Sequence, residues 1–346
     1  MARTTTSTLI RMTHPISFAV IGCGRIGLRH IEMIKNLPGA TLAAVCDVLP
    51  VGELGISVEV PYYTSAEAML AAHPQLDVVA IATPNGFHAQ HALQVIAAGA
   101  HPIIEKPMAL TRRDAEKVLH AALQKGKYVF GVMQNRYSPP SEWLKEVVDR
   151  GLLGEIYQVH VDCFWNRDDR YYHPGGWHGT KDLDGGTLFT QFSHFIDILY
   201  WLFGDITPTA VKLNNFNHAH SIQFEDSGMV QFDLVQGGVG SLNYSTSVWD
   251  ANLESSMTII GEKGSVKVAG QYMNEVAHCH IEGYAMPALA PSNPPNNYGP
   301  YKGSAANHIF VYENVMNVLR GEAPITTNAL EGLKVVDIIE RIYAKA

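Results

Sequence analysis

The sequence predicts an α/β protein in two parts: a parallel sheet wrapped by helices, then an open antiparallel sheet. Three observations predict it. From residue 16 to about 135, short apolar strands alternate with helix-period segments. After Asn135 the runs switch to period-2 alternation, and a glycine-rich turn joins the first strand to the first helix.

The parallel part begins with ISFAVI (16–21), a short β-branched run. Glycines follow, then a helical pattern (Ile26, Ile31, Ile34, Leu37). TLAAVC (41–46) is the second strand and ends at Asp47; LDVVAIAT (76–83) is the third. A helix over 87–98, a strand HPIIEK (101–106), a helix from Arg112 to Lys125 and a strand KYVFGVM (127–133) complete the unit. The strands are apolar throughout, as expected where helices cover both faces of a sheet.

In the second part a helix over 141–150 ends at Gly151. Period-2 runs follow at 157–165, 229–235, 240–248, 256–261 and 265–270, so one face packs and the other meets water. Gly-Glu-Lys-Gly (261–264) reads as a hairpin turn. A helix from Leu188 to Phe203 interrupts the strands. Residues 285–307, rich in Pro, Asn and Gly, read as a long loop, and 328–345 as a closing helix.

The chain has 346 residues, enough for two domains: 16–135 and 136–346, after a leader at 1–15 expected to be disordered. The leader MARTTTSTLIR is Thr-rich and acid-free, with a trace of transit-peptide character. An apolar fraction of 47% suits a globular core, and the net charge of −8 argues against a nucleic-acid partner. No apolar run is long enough for a membrane span. Cys23, Cys46, Cys163 and Cys279 lie far apart, which suits reduced thiols in a cytoplasmic protein better than disulfides or a zinc site. His278 with His280, and His218 with His220, lack a third ligand by spacing, so no metal is expected.

Gly22-Cys23-Gly24-Arg25-Ile26-Gly27 fits G-x-G-x-x-G directly after a strand and opening a helix, the context that gives the pattern meaning. Gly22 permits the tight turn, Gly24 the approach of a pyrophosphate, and Gly27 close packing of helix on strand. The helix start offers free amides to the phosphates. Asp47, 20 residues past Gly27, can accept from a ribose diol and repel a 2′-phosphate; no Arg or Lys follows at 48–52, so NAD is preferred to NADP.

Glu105-Lys106-Pro107 ends the fourth strand, at the edge where α/β sheets place ligands. A lysine there can donate a charged hydrogen bond to a substrate hydroxyl and stabilise an alkoxide. From spacing alone a surface lysine capping a strand is the simpler reading. His194 and Asp197 share a helical face, which alone suggests a core histidine satisfied by its neighbour.

Read together, GCGRIG, Asp47, ATPN (82–85) with His88, EKP (105–107) and GGTLFTQFSHFID (185–197) resemble the Gfo/Idh/MocA oxidoreductases, in order and over about 16–345. The resemblance implies a Rossmann dinucleotide-binding domain plus a C-terminal α+β domain with a large, mostly antiparallel open sheet. It implies a nicotinamide cofactor and oxidation or reduction of a sugar or polyol carbinol. It makes Lys106 and His194 catalytic, with neutral His194 accepting the hydroxyl proton. The cofactor would contact Gly22, Gly24, Arg25, Ile26, Gly27, Asp47, Thr83, Pro84, Asn85, His88, Glu105, Lys106 and Asn135. Many members carry Asp four residues before the histidine; here Thr190 stands there, and Thr cannot act as an acid or base near neutral pH.

Gln134-Asn135-Arg136-Tyr137, Arg167, Tyr171-Tyr172, Trp177-His178-Gly179-Thr180, Gly185-Gly186 and Gln191 resemble the branch that oxidises the 3-hydroxyl of UDP-N-acetylglucosaminuronate for surface polysaccharide (lipopolysaccharide) synthesis. A nucleotide-sugar acid on an acidic protein needs a local basic cluster, which Arg136, Arg167, Arg170, Lys181 and Lys106 can supply. Tyr171, Tyr172 and Trp177 can stack on a sugar or uracil, or simply pack. Gln191 and His194 complete the expected substrate contacts. The loop 285–307 would cover the substrate and Asn307-His308 would line it. Alternatives are a free-sugar or inositol-type dehydrogenase, an NAD-dependent redox glycosidase, and a non-catalytic NAD-binding regulator. The family also implies a homodimer or homotetramer.

Overall fold

The computed structural model describes residues 14–57, 59–299 and 301–346; most of the expected leader, residues 1–13, lies outside the described residues. The first half comprises β1 (Ile16–Ile21), α1 (Arg25–Asn36), β2 (Ala40–Cys46), α2 (Val51–Leu54), β3 (Tyr62–Tyr63), α3 (Ala66–Ala72), β4 (Val78–Ile81), α4 (His88–Ala97), β5 (His101–Ile104), α5 (Arg112–Lys125) and β6 (Phe130–Gly131). Six parallel strands lie in the order β3-β2-β1-β4-β5-β6. Within β1, Ile16, Phe18 and Val20 enter one core while Ala19 and Ile21 enter another. Burial on both faces explains why these strands show no polar alternation.

The fifth expected strand, 127–133, shrinks to Phe130–Gly131. It lies at the sheet edge, where the Gly131 N–H meets the Thr327 carbonyl (3.1 Å) while the next N–H, of Val132, still bonds the Ile104 carbonyl of β5 (2.9 Å). The chain then bends into a short turn of helix over Gln134–Tyr137.

The second half contains α6 (Pro139–Asp149), β7 (Ile156–Phe164), α7 (Ser193–Phe203), β8 (Ile206–Asn214), β9 (Ser227–Leu234), β10 (Val239–Ser245), β11 (Glu254–Gly261), β12 (Gly264–Ala269) and β13 (Glu275–Ile281). The sheet order is β13-β12-β11-β7-β10-β9-β8, with β7 and β10 parallel and the other neighbours antiparallel. Val230, Phe232 and Leu234 point inward while Met229, Gln231 and Asp233 face out, so the period-2 reading holds. β8 and β13 are not foreseen from pattern: both are edge strands with irregular burial, and neither alternates cleanly.

The chain ends with β14 (Pro295–Asn297), β15 (Lys302–Ala305), α8 (His308–Leu319) and α9 (Ala329–Lys345). The expected loop thus contains a short hairpin, β14–β15. No element is expected over 308–327, yet α8 forms there and buries Val311, Tyr312, Val315 and Met316 against Phe18 and Ile34. The C-terminal chain therefore covers the first sheet, which a single cut at 135/136 does not convey. α9 is held by an N-terminal capping box in which Asn328 and Glu331 bond each other's backbone, a device of about 1 kcal/mol. The expected helix from Leu188 opens as a wider π-turn over Leu188–Phe192 before α7 begins. Among the described residues no helix is long and apolar enough to cross a membrane.

Candidate active site

The turn after β1 is shaped by steric necessity. Gly22 has φ +94°, and a Cβ there would lie 2.6 Å from the Ala82 carbonyl oxygen. A Cβ at Gly27 would lie 1.8 Å from the Gly22 carbonyl oxygen, so only glycine lets α1 sit this close. A Cβ on Gly24 would meet nothing, because that side opens into a cavity. Asp47 ends β2 beside this turn, accepting the Cys23 N–H (2.7 Å) and the Leu49 N–H (3.0 Å).

The cavity has a volume of about 920 Å³ and runs from the glycine turn to α7. Of the expected cofactor residues, Gly22, Gly24, Arg25, Ile26, Asp47, Thr83, Pro84, Asn85, His88, Glu105 and Lys106 line it. Gly27 lies behind the turn in its packing role. Two buried wall atoms, Thr83 Oγ1 and Gln134 Oε1, have no hydrogen-bond partner. Interior polar atoms are rarely left so, and these two suit a ligand that both donates and accepts, as a nicotinamide amide does. With the uncapped α1 N-terminus and the Asp47 carboxylate, the residues present fit a nicotinamide dinucleotide.

Four expected site residues do not line this cavity. Asn135 is buried beside the cavity and accepts from the Ser304 hydroxyl (2.5 Å); its neighbour Gln134 faces the cavity instead. Arg136 is fully buried and grips Asp197, Glu331 and the Thr326 carbonyl, so it is structural. Tyr172 packs in a small cluster with Tyr171 and Ile222, behind the tyrosine that lines the cavity. Lys181 lines a separate groove beside Glu340 and Tyr343.

Lys106 follows β5 and donates from Nζ to the Thr190 carbonyl (2.5 Å). Burial lowers its pKa, against the pull of Glu105 and Asp184. Glu105 turns away, bonding His30 Nε2 (3.0 Å), with His308 Nε2 at 3.5 Å. Burial raises the Glu105 pKa, but the bonds from His30 and His308 prevail and hold it well below the usual range. His88 spans the Thr83 and Pro107 carbonyls (2.8 and 2.7 Å), tying the turns after β4 and β5 together.

His194 sits in the first turn of α7 and lines the same cavity as Lys106. Its expected core partner is elsewhere: Asp197 is taken by Arg136, and no described protein atom bonds either ring nitrogen of His194. Burial, reinforced by Lys106, pushes the imidazole pKa well below the ordinary value, so the ring is neutral. A neutral imidazole with a free nitrogen can accept a proton.

Arg167, Tyr171, Trp177 and Gln191 complete the far wall. Arg167 is buried and donates to Gln191 Oε1, Asn252 Oδ1 and the carbonyls of Asn166 and Lys302, with no acid in contact among the described residues. Trp165, Tyr171 and Tyr301 stand around its guanidinium at 4.9, 5.4 and 5.0 Å. Arg170 also reaches the cavity but is paired with Asp168.

Pattern reading misses His178, Trp165, Tyr298 and Tyr301, which also line the cavity. His178 lies inside the expected WHGT stretch, and the two tyrosines sit on the β14–β15 hairpin, within the loop expected to cover the substrate. Of the pair proposed to line it, His308 does, while Asn307 bonds Ser138 Oγ (3.1 Å) behind it. His218 pairs with Asp226 (3.1 Å) and His220 with Asp169 (3.1 Å); His278 and His280 are exposed on β13. Among the described residues no group of three His, Cys, Asp or Glu side chains is placed to hold a metal ion.

Residues 16–132 match the family profile described as the oxidoreductase family with an NAD-binding Rossmann fold, and 142–267 match the GFO/IDH/MocA C-terminal domain. Two solved structures are similar over nearly their whole length. One is the WlbA dehydrogenase from Bordetella pertussis in complex with NADH and UDP-GlcNAcA: 32% identity, 96% of this chain, 97% of that one, TM-score 0.83. The other is the WlbA dehydrogenase from Chromobacterium violaceum with the same two ligands: 33% identity, 97% of this chain, 95% of that one, TM-score 0.84. An uncharacterized oxidoreductase of Synechocystis is 27% identical, covering 76% of this chain and 74% of its own.

Proposed function

The chain belongs to the Gfo/Idh/MocA family of NAD-binding oxidoreductases acting on CH–OH groups, and from that premise we propose that it oxidises the 3-hydroxyl of a UDP-N-acetyl-hexosaminuronate. One observation carries the substrate class: Arg167, a buried guanidinium in the cavity wall with no acid beside it. An unpaired buried cation is costly, and an anionic ligand offsets that cost. With Arg136 and Lys181 elsewhere and Arg170 paired, Arg167 and Lys106, together with Arg25 at the glycine turn, are the cations in the cavity wall that favour a sugar acid over a neutral polyol. The similarity to dehydrogenases solved with NADH and UDP-GlcNAcA supports the same choice.

In this reading His194, held neutral by burial, accepts the proton of the reacting hydroxyl. Lys106, anchored on the Thr190 carbonyl, donates to the same oxygen and stabilises its developing negative charge. NAD, when bound along the glycine turn and Asp47, supplies the hydride acceptor. Gln191 bonds the Arg167 Nε and so fixes the guanidinium. The outward face of the second sheet, with Met229 and Val239 exposed, is where we place self-association into a homodimer or homotetramer. Light scattering of the purified protein reads it, and a monomer would remove that assignment.

The substrate test is turnover with NAD across UDP-N-acetylglucosaminuronate, UDP-N-acetylglucosamine, free hexoses and inositol, followed by nicotinamide absorbance. The proposal expects the charged nucleotide sugar to exceed the others in kcat/KM by about 10²-fold or more. Equal or better turnover of a neutral sugar or polyol would overturn it.

A further inference from the structure

Two charges near α7, one buried and one half-buried, lack a contacting counter-charge among the described residues. The Lys106 ammonium bonds only the neutral Thr190 carbonyl. The Asp184 carboxylate, 1% exposed, accepts the Gly179 N–H (2.6 Å) and the Thr190 hydroxyl, and no cation touches it. Thr190 thus stands between them, its side chain on the acid and its carbonyl on the base. Asn85 secures the arrangement, its Nδ2 donating to Thr190 Oγ1 (2.7 Å) and to the Asp184 carbonyl (2.9 Å). Since Thr190 Oγ1 accepts from Asn85, its own proton goes to Asp184 Oδ1.

We propose that Asp184 is a positioning residue for Lys106, acting through Thr190: it fixes the carbonyl that aims the ammonium and adds a second negative charge beside it. The proposal rests on the reading that Lys106 faces the reacting hydroxyl. Breaking either side of a relayed charge pair leaves the other less compensated. Glu105, ionised and bonded to His30 and His308, is the stronger of the two acids that favour the Lys106 charge; Asp184 adds to it and alone of the two bonds the residue whose carbonyl holds the ammonium.

Of the groups facing the pair, Glu225 is the one that titrates close to Asp184. Around Lys106 stand Glu105, Arg167, His178 and His194. Burial pushes both histidines far down, His178 to about 3, so neither changes charge near neutral pH. Around Asp184 stand Tyr171 and Tyr172, pushed up by burial, and Glu225, pushed up to about 7. Burial raises the Asp184 pKa to about 6, so its charge is present above neutral pH.

The test reads Lys106 directly, whatever the substrate. Full-length protein is reductively methylated with ¹³C-formaldehyde, and the Lys106 signal is assigned by its loss in Lys106→Arg. In Asp184→Asn this amine should bind its proton about tenfold less tightly than in the parent, with a smaller change in the same direction in Thr190→Val, which keeps the carbonyl. With an active substrate, the alkaline limb of kcat/KM should move down in parallel while KM for NAD stays constant. Folding is checked by melting and NADH binding; if Asp184→Asn does not fold, Thr190→Val carries the test. An unchanged Lys106 titration in a folded variant overturns the proposal. Failure of the substrate reading shows up separately, as inactivity toward UDP-sugars in the parent protein.

Discussion

Arg136 and Asp197 form a bidentate pair inside the molecule: Nε to Oδ2 is 2.8 Å, Nη2 to Oδ1 is 2.6 Å, and neither side chain is more than 1% exposed. Arg136 closes the first half of the chain and Asp197 lies on α7, three residues after His194. Glu331 at the start of α9 and the Thr326 carbonyl hold the same guanidinium. The pair therefore joins the first half, the helix that carries His194 and the C-terminal helix. It also removes Asp197 from His194, leaving the imidazole free for chemistry.

Breaking that pair should damage the fold. Arg136→Met strands a buried carboxylate and should cost about 3–5 kcal/mol, read as a large fall in melting temperature or loss of soluble protein. A variant that melts like the parent and changes only KM would make Arg136 a substrate residue after all.

Lys106→Ala should lower kcat by about 10²-fold or more, with NADH still binding as judged by its fluorescence. Survival of activity within a few-fold would remove Lys106 from the chemistry.

His194→Asn should lower turnover by about 10²–10⁴-fold. In the parent enzyme, burial holds the imidazole pKa well below its ordinary value, so the proton-accepting form persists as pH falls. kcat/KM for alcohol oxidation, measured in Asp184→Asn so that the carboxyl titrating near 6 is absent, should therefore stay level as pH drops from about 7 through about 6, past the ordinary histidine value. An acid limb centred at that ordinary value would contradict it.

Asp47→Ser should weaken the preference for NAD over NADP, because it removes the carboxylate that repels a 2′-phosphate. The ratio of kcat/KM for the two cofactors measures it, and an unchanged ratio would mean that Asp47 does not face the ribose.

Stability should fall on mild acidification. His101 is 7% exposed, and burial, helped by Lys127, lowers its pKa to about 4. A depressed folded-state pKa means that protonation favours the unfolded chain. Its contribution is complete above about pH 6.5 and is lost as pH falls toward about 4, about 3 kcal/mol in all. The melting temperature should drop across that window, and less steeply in His101→Gln. A flat melting profile over the same range would exclude this linkage.

Much of the fold was legible because its signals are local. The apolar runs, the 22–27 glycine turn and the alternation of β7, β9 and β10 each depend on residues close in sequence. The edge strands β8 and β13 and the hairpin β14–β15 were hidden, since their pairing depends on the strand or loop they meet rather than on their own pattern. α8 carries an apolar stripe yet passed unassigned, and only the fold reveals that it returns to cover the first sheet.

The sequence by itself determined the parallel and antiparallel halves and the dinucleotide turn, because spacing encodes which residues share a strand end or a helix face; Lys106 and His194 became candidates through the family resemblance of their motifs, not through spacing. Only the tertiary structure decided which charges meet. It took Arg136 into a buried pair, placed Lys181 in another groove, left Arg167 facing the cavity without an acid, and set Thr190 between Asp184 and Lys106. Charge partners are chosen by distances between segments far apart in the chain, and those distances exist only once the two sheets and the helices between them have packed.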